Sequence, residues 1–335
     1  MEEMKKIVFF TVMTSSILLL CGCNSKRLTN NLSQQQIGTN DSIKSWLYFL
    51  ASDEMKGRAN GSQEIETVAT WLSAKYKEYG LQTLTGLDNF LQPYLLDDDS
   101  SFVHKNVIGY IPAKKKQNNN DSFVLLSAHF DHLGIHSDYA VNGDSIFNGA
   151  NDNASGVVAM LAIAKNLYDN NIKPEYPIVF AAFSNEEMRG LGSGYFCNSG
   201  VVPIQKIKVN VNFEMLGRTD EYGKNTFYIS GPKFSNLQDI VVDFNKNTSW
   251  EIAETGDLAD KIFEMADNFI LVTCASDAGV CVPAHSFFVS GVRSDMHRPS
   301  DEVEFIDFEN LNNFVAHFTQ LIIHLASKNV EIKCN

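Results

Sequence analysis

Six short apolar runs set the architecture: Val107–Ile111, Phe123–Ser127, Ile178–Phe183, Val209–Phe213, Phe227–Ser230 and Ser286–Ser290. Each is bounded by turn residues and is nearly continuous, not alternating apolar with polar. A strand with one wet face alternates, whereas a strand covered on both faces does not. Helical stripes lie around and between these runs. After Ser62, a residue type that caps helix starts, apolar side chains recur at Ile65, Val68, Ala69, Leu72, Tyr76 and Tyr79, and Gly80 ends the pattern. Leu311, Phe314, Val315, Phe318, Ile322 and Leu325 give the same stripe, and helical stretches fall at about 154–169, 235–247 and 308–327. The alternation predicts an α/β fold, a three-layer α/β/α sandwich around a mostly parallel or mixed sheet, in one domain over residues 45–330. In such sheets chemistry gathers at the carboxyl ends of the strands.

The N-terminus reads differently. Lys5 and Lys6 precede an apolar run from Ile7 to Leu20, broken only by Thr11, Thr14, Ser15 and Ser16 and short for a membrane span. The run ends in Leu20-Cys21-Gly22-Cys23, which resembles a bacterial lipobox with Cys23 as the lipidated residue. The expectation is a lipoprotein signal at 1–22, a polar tether at 23–44, and lipid anchoring in the cell envelope on its periplasmic or surface side. A plain signal peptide or an uncleaved anchor would also fit the pattern. An envelope compartment permits disulfides, and Cys274 with Cys281 is the expected pair, although spacing alone cannot fix a pairing. A net charge of -13 leaves nothing to neutralise phosphates over a broad face, so no nucleic-acid partner is expected.

Polar clusters follow the apolar runs. In Ala128-His129-Phe130-Asp131-His132, the His and Asp two apart share one face of an extended segment, and Asp131 is placed to orient a metal-ligating His129. Taken alone, this is equally a core His beside a surface Asp. Small residues flank Asp152 in Gly149-Ala150-Asn151-Asp152-Asn153-Ala154-Ser155-Gly156, as a closely approached metal or a simple helix-capping turn would require. Glu186 and Glu187 follow a buried strand, where one can ligate while the other acts as general base; an adjacent Glu pair is also a common solvated loop end. Glu214 and His297 are unremarkable singly.

Their order carries more than any one of them. SAHFDHLG, GANDNASGV, FSNEEMRGLGS, VNFEMLGR and HRPSDE, with LASDEMKGRANGS ahead of them, resemble the M28 family of zinc peptidases over about residues 45–330. The resemblance implies a zinc-exopeptidase-type fold and two Zn2+ per chain. One zinc would be held by Glu187 and His297, the other by His129 and Glu214, with Asp152 bridging. It also implies Glu186 as the base that activates water, Asp131 as the residue orienting His129, and a cis bond after Asp152. Three positions depart from the pattern. Glu214 stands where many members have Asp, Asn153 where a second Asp is common, and Ser276-Asp277-Ala278 where relatives carry a pocket-lining Ser-Asp-His.

The implied activity is aminopeptidase action on peptides. A glutaminyl cyclase is the second reading within the family, which the retained first His and the HRPSD ending disfavour. Carboxypeptidase or amino-sugar-type amidase activity is a further option. A metal-free binding module would have lost ligands or base, and none of the six residues is lost.

Overall fold

A computed structural model describes residues 41–96, 100–115, 122–220, 222–255, 257–291 and 295–335. The signal segment and Cys23 lie outside the described residues. Helix α1 occupies residues 41–50 and buries Ile43, Leu47 and Leu50, so the end of the expected tether at 41–44 already belongs to the fold. Among the described residues, no helix is long and apolar enough to cross a membrane.

The remaining helices are α2 (Gln63–Glu78), α3 (Gly156–Asp169), α4 (Leu191–Ser199), α5 (Leu237–Asn245), the short α6 (Leu258–Lys261), α7 (Asp267–Asp277) and α8 (Phe308–Leu325). Ser62 caps α2 as expected, its hydroxyl accepting from the Ile65 amide. Strands are β1 (Leu91–Tyr94), β2 (His104–Ile111), β3 (Phe123–His129), a small hairpin of β4 (Gly134–Ile135) and β5 (Ile146–Phe147), β6 (Ile178–Phe183), β7 (Ile207–Glu214), β8 (Thr226–Ile229), β9 (Glu251–Ile252) and β10 (Ala284–Phe288). The main sheet has the order β1-β2-β6-β3-β7-β10-β8-β9. Its centre, β6-β3-β7-β10, is parallel, while β1/β2, β2/β6 and β10/β8 pair antiparallel. The sheet is therefore mixed, with helices on both faces.

The pleat sorts the core. Val124, Leu126 and Ala128 of β3 face a large cluster built with α1, α2, α3, α5 and α8. Phe123 and Leu125, pointing the other way, face a smaller cluster with Phe196 of α4 and Leu271 and Ala275 of α7. Both faces of β3 are buried throughout, which is why its sequence does not alternate.

The expected Cys274–Cys281 disulfide is not formed. Cys281 pairs with Cys334, with Cα atoms 6.4 Å apart. The last residues return alongside Ser235, which pairs with Cys334, and this return places the distant cysteine beside Cys281. The folded domain accordingly runs beyond residue 330, and Cys197 and Cys274 stay as thiols.

Candidate metal centre

The parallel strands deliver their polar neighbours to one edge. His129 ends β3, Glu186 and Glu187 follow β6, and Glu214 ends β7. Asp152 sits in the Ala150–Ser155 turn that leads into α3, where its own backbone is not helical, and the Asp152–Asn153 bond is cis. Backbone strain gathers here: Asn185, Met215 and His297 all hold positive φ. Gly149 also has positive φ, and a Cβ there would collide with the Asp152 carbonyl and the His132 ring.

Donor atoms converge in two trios that share Asp152. His129 Nε2 lies 3.3 Å from Asp152 Oδ1 and 3.4 Å from Glu214 Oε2. On the other side, His132, Asp152 and Glu187 form the second trio, and the half-buried His297 adds its Nε2 at 3.2 Å from Asp152 Oδ2 and 3.3 Å from Glu187 Oε2. Ligand atoms about 2.0–2.1 Å from a tetrahedral zinc stand about 3.3 Å from one another, so these histidine–carboxylate separations match those around a zinc ion. Nitrogen and carboxylate donors without thiolate suit the same ion. Glu214 reaches the cluster from the end of β7, and the Asn212 amide donates to it at 2.8 Å.

Electrostatics follow from crowding carboxylates out of water. Burial, reinforced by Asp267, Glu214 and Glu187 and opposed by His129, pushes Glu186 well above the usual carboxylate range. Burial also raises Glu214. Against burial, hydrogen bonds from His129 and His297 hold Asp152 well below its ordinary value. Burial and Asp152 likewise oppose ionisation of Glu187, but His132 and His297 bring it down to about 2. Burial alone would lower His129; the surrounding carboxylates, led by Glu214 and Glu186, hold it well above its ordinary value. Four carboxylates, Asp152, Glu186, Glu187 and Glu214, gather around His129, His132 and His297, and cations would offset their charge.

Asp131 has a wider role than its spacing implied. Its carboxylate is 3.6 Å from His129 Nδ1, farther than its own main-chain carbonyl at 3.2 Å. The carboxylate oxygens accept instead from the Glu186 and Glu187 amides at 3.1 and 3.2 Å and from Asn60 at 2.7 Å. It thereby fastens the Glu-Glu turn to the end of β3. Asn153 explains its departure from the pattern. Its amide donates to the Phe213 carbonyl while its oxygen accepts from Met215 and Gly156, and an Asp could not make the donation.

Four residues assigned no role from sequence belong here. His132 Nδ1 is 2.7 Å from Glu187 Oε1, on the carboxylate's side away from His297. Asp301 accepts from the Asn151 and Asp152 amides, fixing the bridge loop. Arg58, fully buried in the LASDEMKGRANGS segment, donates to the carbonyls of Leu50, Phe130, Asn148 and Gly149. Asp267, at the start of α7, is buried with neither carboxylate oxygen hydrogen-bonded among the described residues, and burial raises it to about 7. His132 and Asp301 stand inside quoted motifs, so their signal was present; Asp267 had none.

A cavity of about 510 Å³ opens on the trios. Beyond the ligands and Glu186 it is walled by Met215, Ile262, Met265, Phe269, Ile270, Phe288 and Met296, with Arg189 and Glu264 as further polar members. The expected contribution of Ser276–Ala278 is not found: these residues are exposed at the far end of α7, and the first turn of that helix supplies the wall.

Comparison with known proteins agrees with this layout. The sequence pattern described as Peptidase family M28 matches residues 106–322. Aminopeptidase YwaD of Bacillus subtilis is 28% identical over 220 residues, covering 62% of this chain and 41% of that protein. A probable zinc metalloprotease of Pyrenophora teres f. teres is 27% identical over 187 residues, covering 53% and 39%. The chain thus spans about two fifths of the length of these relatives. Among solved structures, the LapA aminopeptidase of Legionella pneumophila superposes with a TM-score of 0.66 at 17% identity, covering 97% of this chain and 80% of that one. A glutaminyl cyclase of Bacteroides thetaiotaomicron gives 0.62 at 18%, covering 85% and 97%. With strand-end clusters in the expected order and the pattern matched across most of the domain, the chain belongs to peptidase family M28.

Proposed function

We propose that this chain is a di-zinc aminopeptidase that removes an apolar residue from the N-terminus of peptides. The observation that carries the reading is Asp152, whose two oxygens face two different histidines across one shared position. His129 and Glu214 would hold one ion, Glu187 and His297 the other, and Asp152 both. Bound zinc would supply Lewis acidity toward the scissile carbonyl and make water acidic enough to attack near neutral pH. Glu186, outside both trios, takes the proton of the attacking water and returns it to the leaving amine. Asp131 holds the Glu186 amide and so fixes that carboxylate's origin. Within this reading residues 1–22 are a lipoprotein signal and Cys23 a lipid anchor in the envelope, which the mass of the mature N-terminal peptide checks.

Metal analysis with an aminoacyl-amide panel tests the core. Two zinc ions per chain, and hydrolysis of free-amine substrates that is lost on chelation and regained with zinc, are the expected results. Cleavage of N-blocked substrates alone would overturn the aminopeptidase reading. Conversion of N-terminal glutaminyl peptides to pyroglutamyl peptides with release of ammonia, and no cleavage of the peptide bond, would place the chain with the cyclases.

The apolar wall sets the side-chain preference. Phe269→Ala is expected to lower kcat/KM for leucyl and phenylalanyl amides by roughly 10-fold, because one lost apolar contact surface is worth about 1–3 kcal/mol. The alanyl amide should be nearly unaffected, since it cannot reach the wall. Equal losses on all three substrates would contradict the pocket assignment.

A further inference from the structure

Two thiols stand apart from the metal centre and from the disulfide. Helices α4 and α7 pack against each other on the smaller core. Gly190, the residue before α4, and Gly194 both lie against Ile270: a Cβ on Gly190 would meet Ile270 Cγ1 at 2.6 Å, and one on Gly194 would meet Cγ2 at 3.8 Å. One turn further along each helix, the next positions on the same faces are Cys197 and Cys274. Both are partly exposed, and both pack beside the cluster that holds Phe196, Leu271 and Ala275. The stripe that brings glycine onto isoleucine therefore continues as thiol onto thiol. In agreement, the two thiols influence each other's titration, Cys197 lowering Cys274 and Cys274 raising Cys197.

We propose that Cys197 and Cys274 form a redox-closable pair that becomes a second disulfide, stapling α4 to α7, by exchange with a small-molecule disulfide. The Cys274 thiolate attacks one sulfur of the small disulfide, whose S–S bond breaks and releases one small thiol. Cys197 then loses its proton and attacks Cys274 in the mixed disulfide, expelling the second small thiol. Two protein thiols and one small disulfide become one protein disulfide and two small thiols. Gly190 and the first turn of α7 border the cavity, so the staple would join two of its walls.

The test is incubation of the intact purified chain with oxidised glutathione, followed by alkylation, digestion and mass spectrometry. A cross-linked peptide pair containing Cys197 and Cys274, both protected from alkylation, is expected. A melting temperature several degrees higher should accompany it, because a long loop of the unfolded chain is closed. The Cys197→Ser chain, unable to resolve the intermediate, should instead accumulate glutathione on Cys274 and show no such rise. Two thiols that stay freely alkylated in the wild-type chain would overturn the proposal. So would a glutathione adduct on Cys274 that persists there without cross-linking. Because the readout is a bond and not turnover, it is independent of the catalytic reading.

Discussion

The Glu186→Gln chain is expected to keep its full zinc content and to lose roughly 10²–10⁴-fold in kcat, the usual worth of a positioned general base. The asymmetry comes from where the two adjacent glutamates stand. Glu187 faces His297 at 3.3 Å and His132 at 2.7 Å, within a donor trio. Glu186 approaches His129 only to 3.9 Å and belongs to neither trio. Its carboxylate is largely buried, and burial among Asp267, Glu214 and Glu187 pushes it well above the usual carboxylate range. An amide of the same shape fills the space but cannot take a proton. Measuring zinc by mass spectrometry alongside single-turnover hydrolysis separates the outcomes. Hydrolysis within a few-fold of wild type would remove Glu186 from the mechanism, whereas loss of zinc would make it a ligand. Glu187→Gln should show the reverse order, losing metal first.

What could be read from residue order was what depends on local pattern. The central strands were visible because double-sided burial removes alternation, and β6 was bounded correctly at Ile178–Phe183. Helix α8 was visible because its stripe is regular. Helix α4 was not, since LGSGYFCNS has two glycines and no apolar period. Its glycines answer to a neighbour instead: a Cβ on Gly192 would collide with the Ser184 carbonyl. Helix α7 was hidden because DNFILVTCASD has no apolar stripe on one side, and the pocket contribution expected at its end, Ser276–Ala278, comes from its first turn instead. The metal cluster was legible because each candidate follows a strand that the topology sends to one edge. The role of Arg58 was not, because it donates to carbonyls up to 91 residues away and carbonyls leave no mark in a sequence. The disulfide failed for the same reason, Cys281 reaching across 53 residues to Cys334 in preference to the near neighbour.

Arg58→Met is the substitution expected to harm the domain most without touching a ligand. The guanidinium bonds Phe130 at 2.9 Å, Asn148 at 2.7 Å, Gly149 at 3.0 Å and Leu50 at 2.5 Å. Phe130 lies between His129 and Asp131, and Gly149 begins the loop of Asp152, so one side chain ties together the two segments that flank the proposed bridge. Asp301, Asp131 and Asp152 are the nearby charges that offset its burial, which still brings it down to about 10. Methionine restores most of the volume and none of the donors. A buried acceptor left unpaired costs about 1–3 kcal/mol; the Gly149 carbonyl keeps the Ala154 amide, and with the other three acceptors partly relaxing toward water a loss of about 3 kcal/mol is expected. Lysine should do little better, since one ammonium cannot span four carbonyls that a planar fork reaches from three nitrogens. Because the stability is lost at the loops carrying His129 and Asp152, zinc affinity should fall as well, by roughly the 10–100-fold typical of lost outer-shell support. Denaturation measured with and without excess zinc checks both parts together. Zinc should recover a share of the lost stability by binding the folded form. A variant that unfolds like wild type and holds zinc as tightly would show that these four carbonyls find other donors, and that Arg58 only fills space.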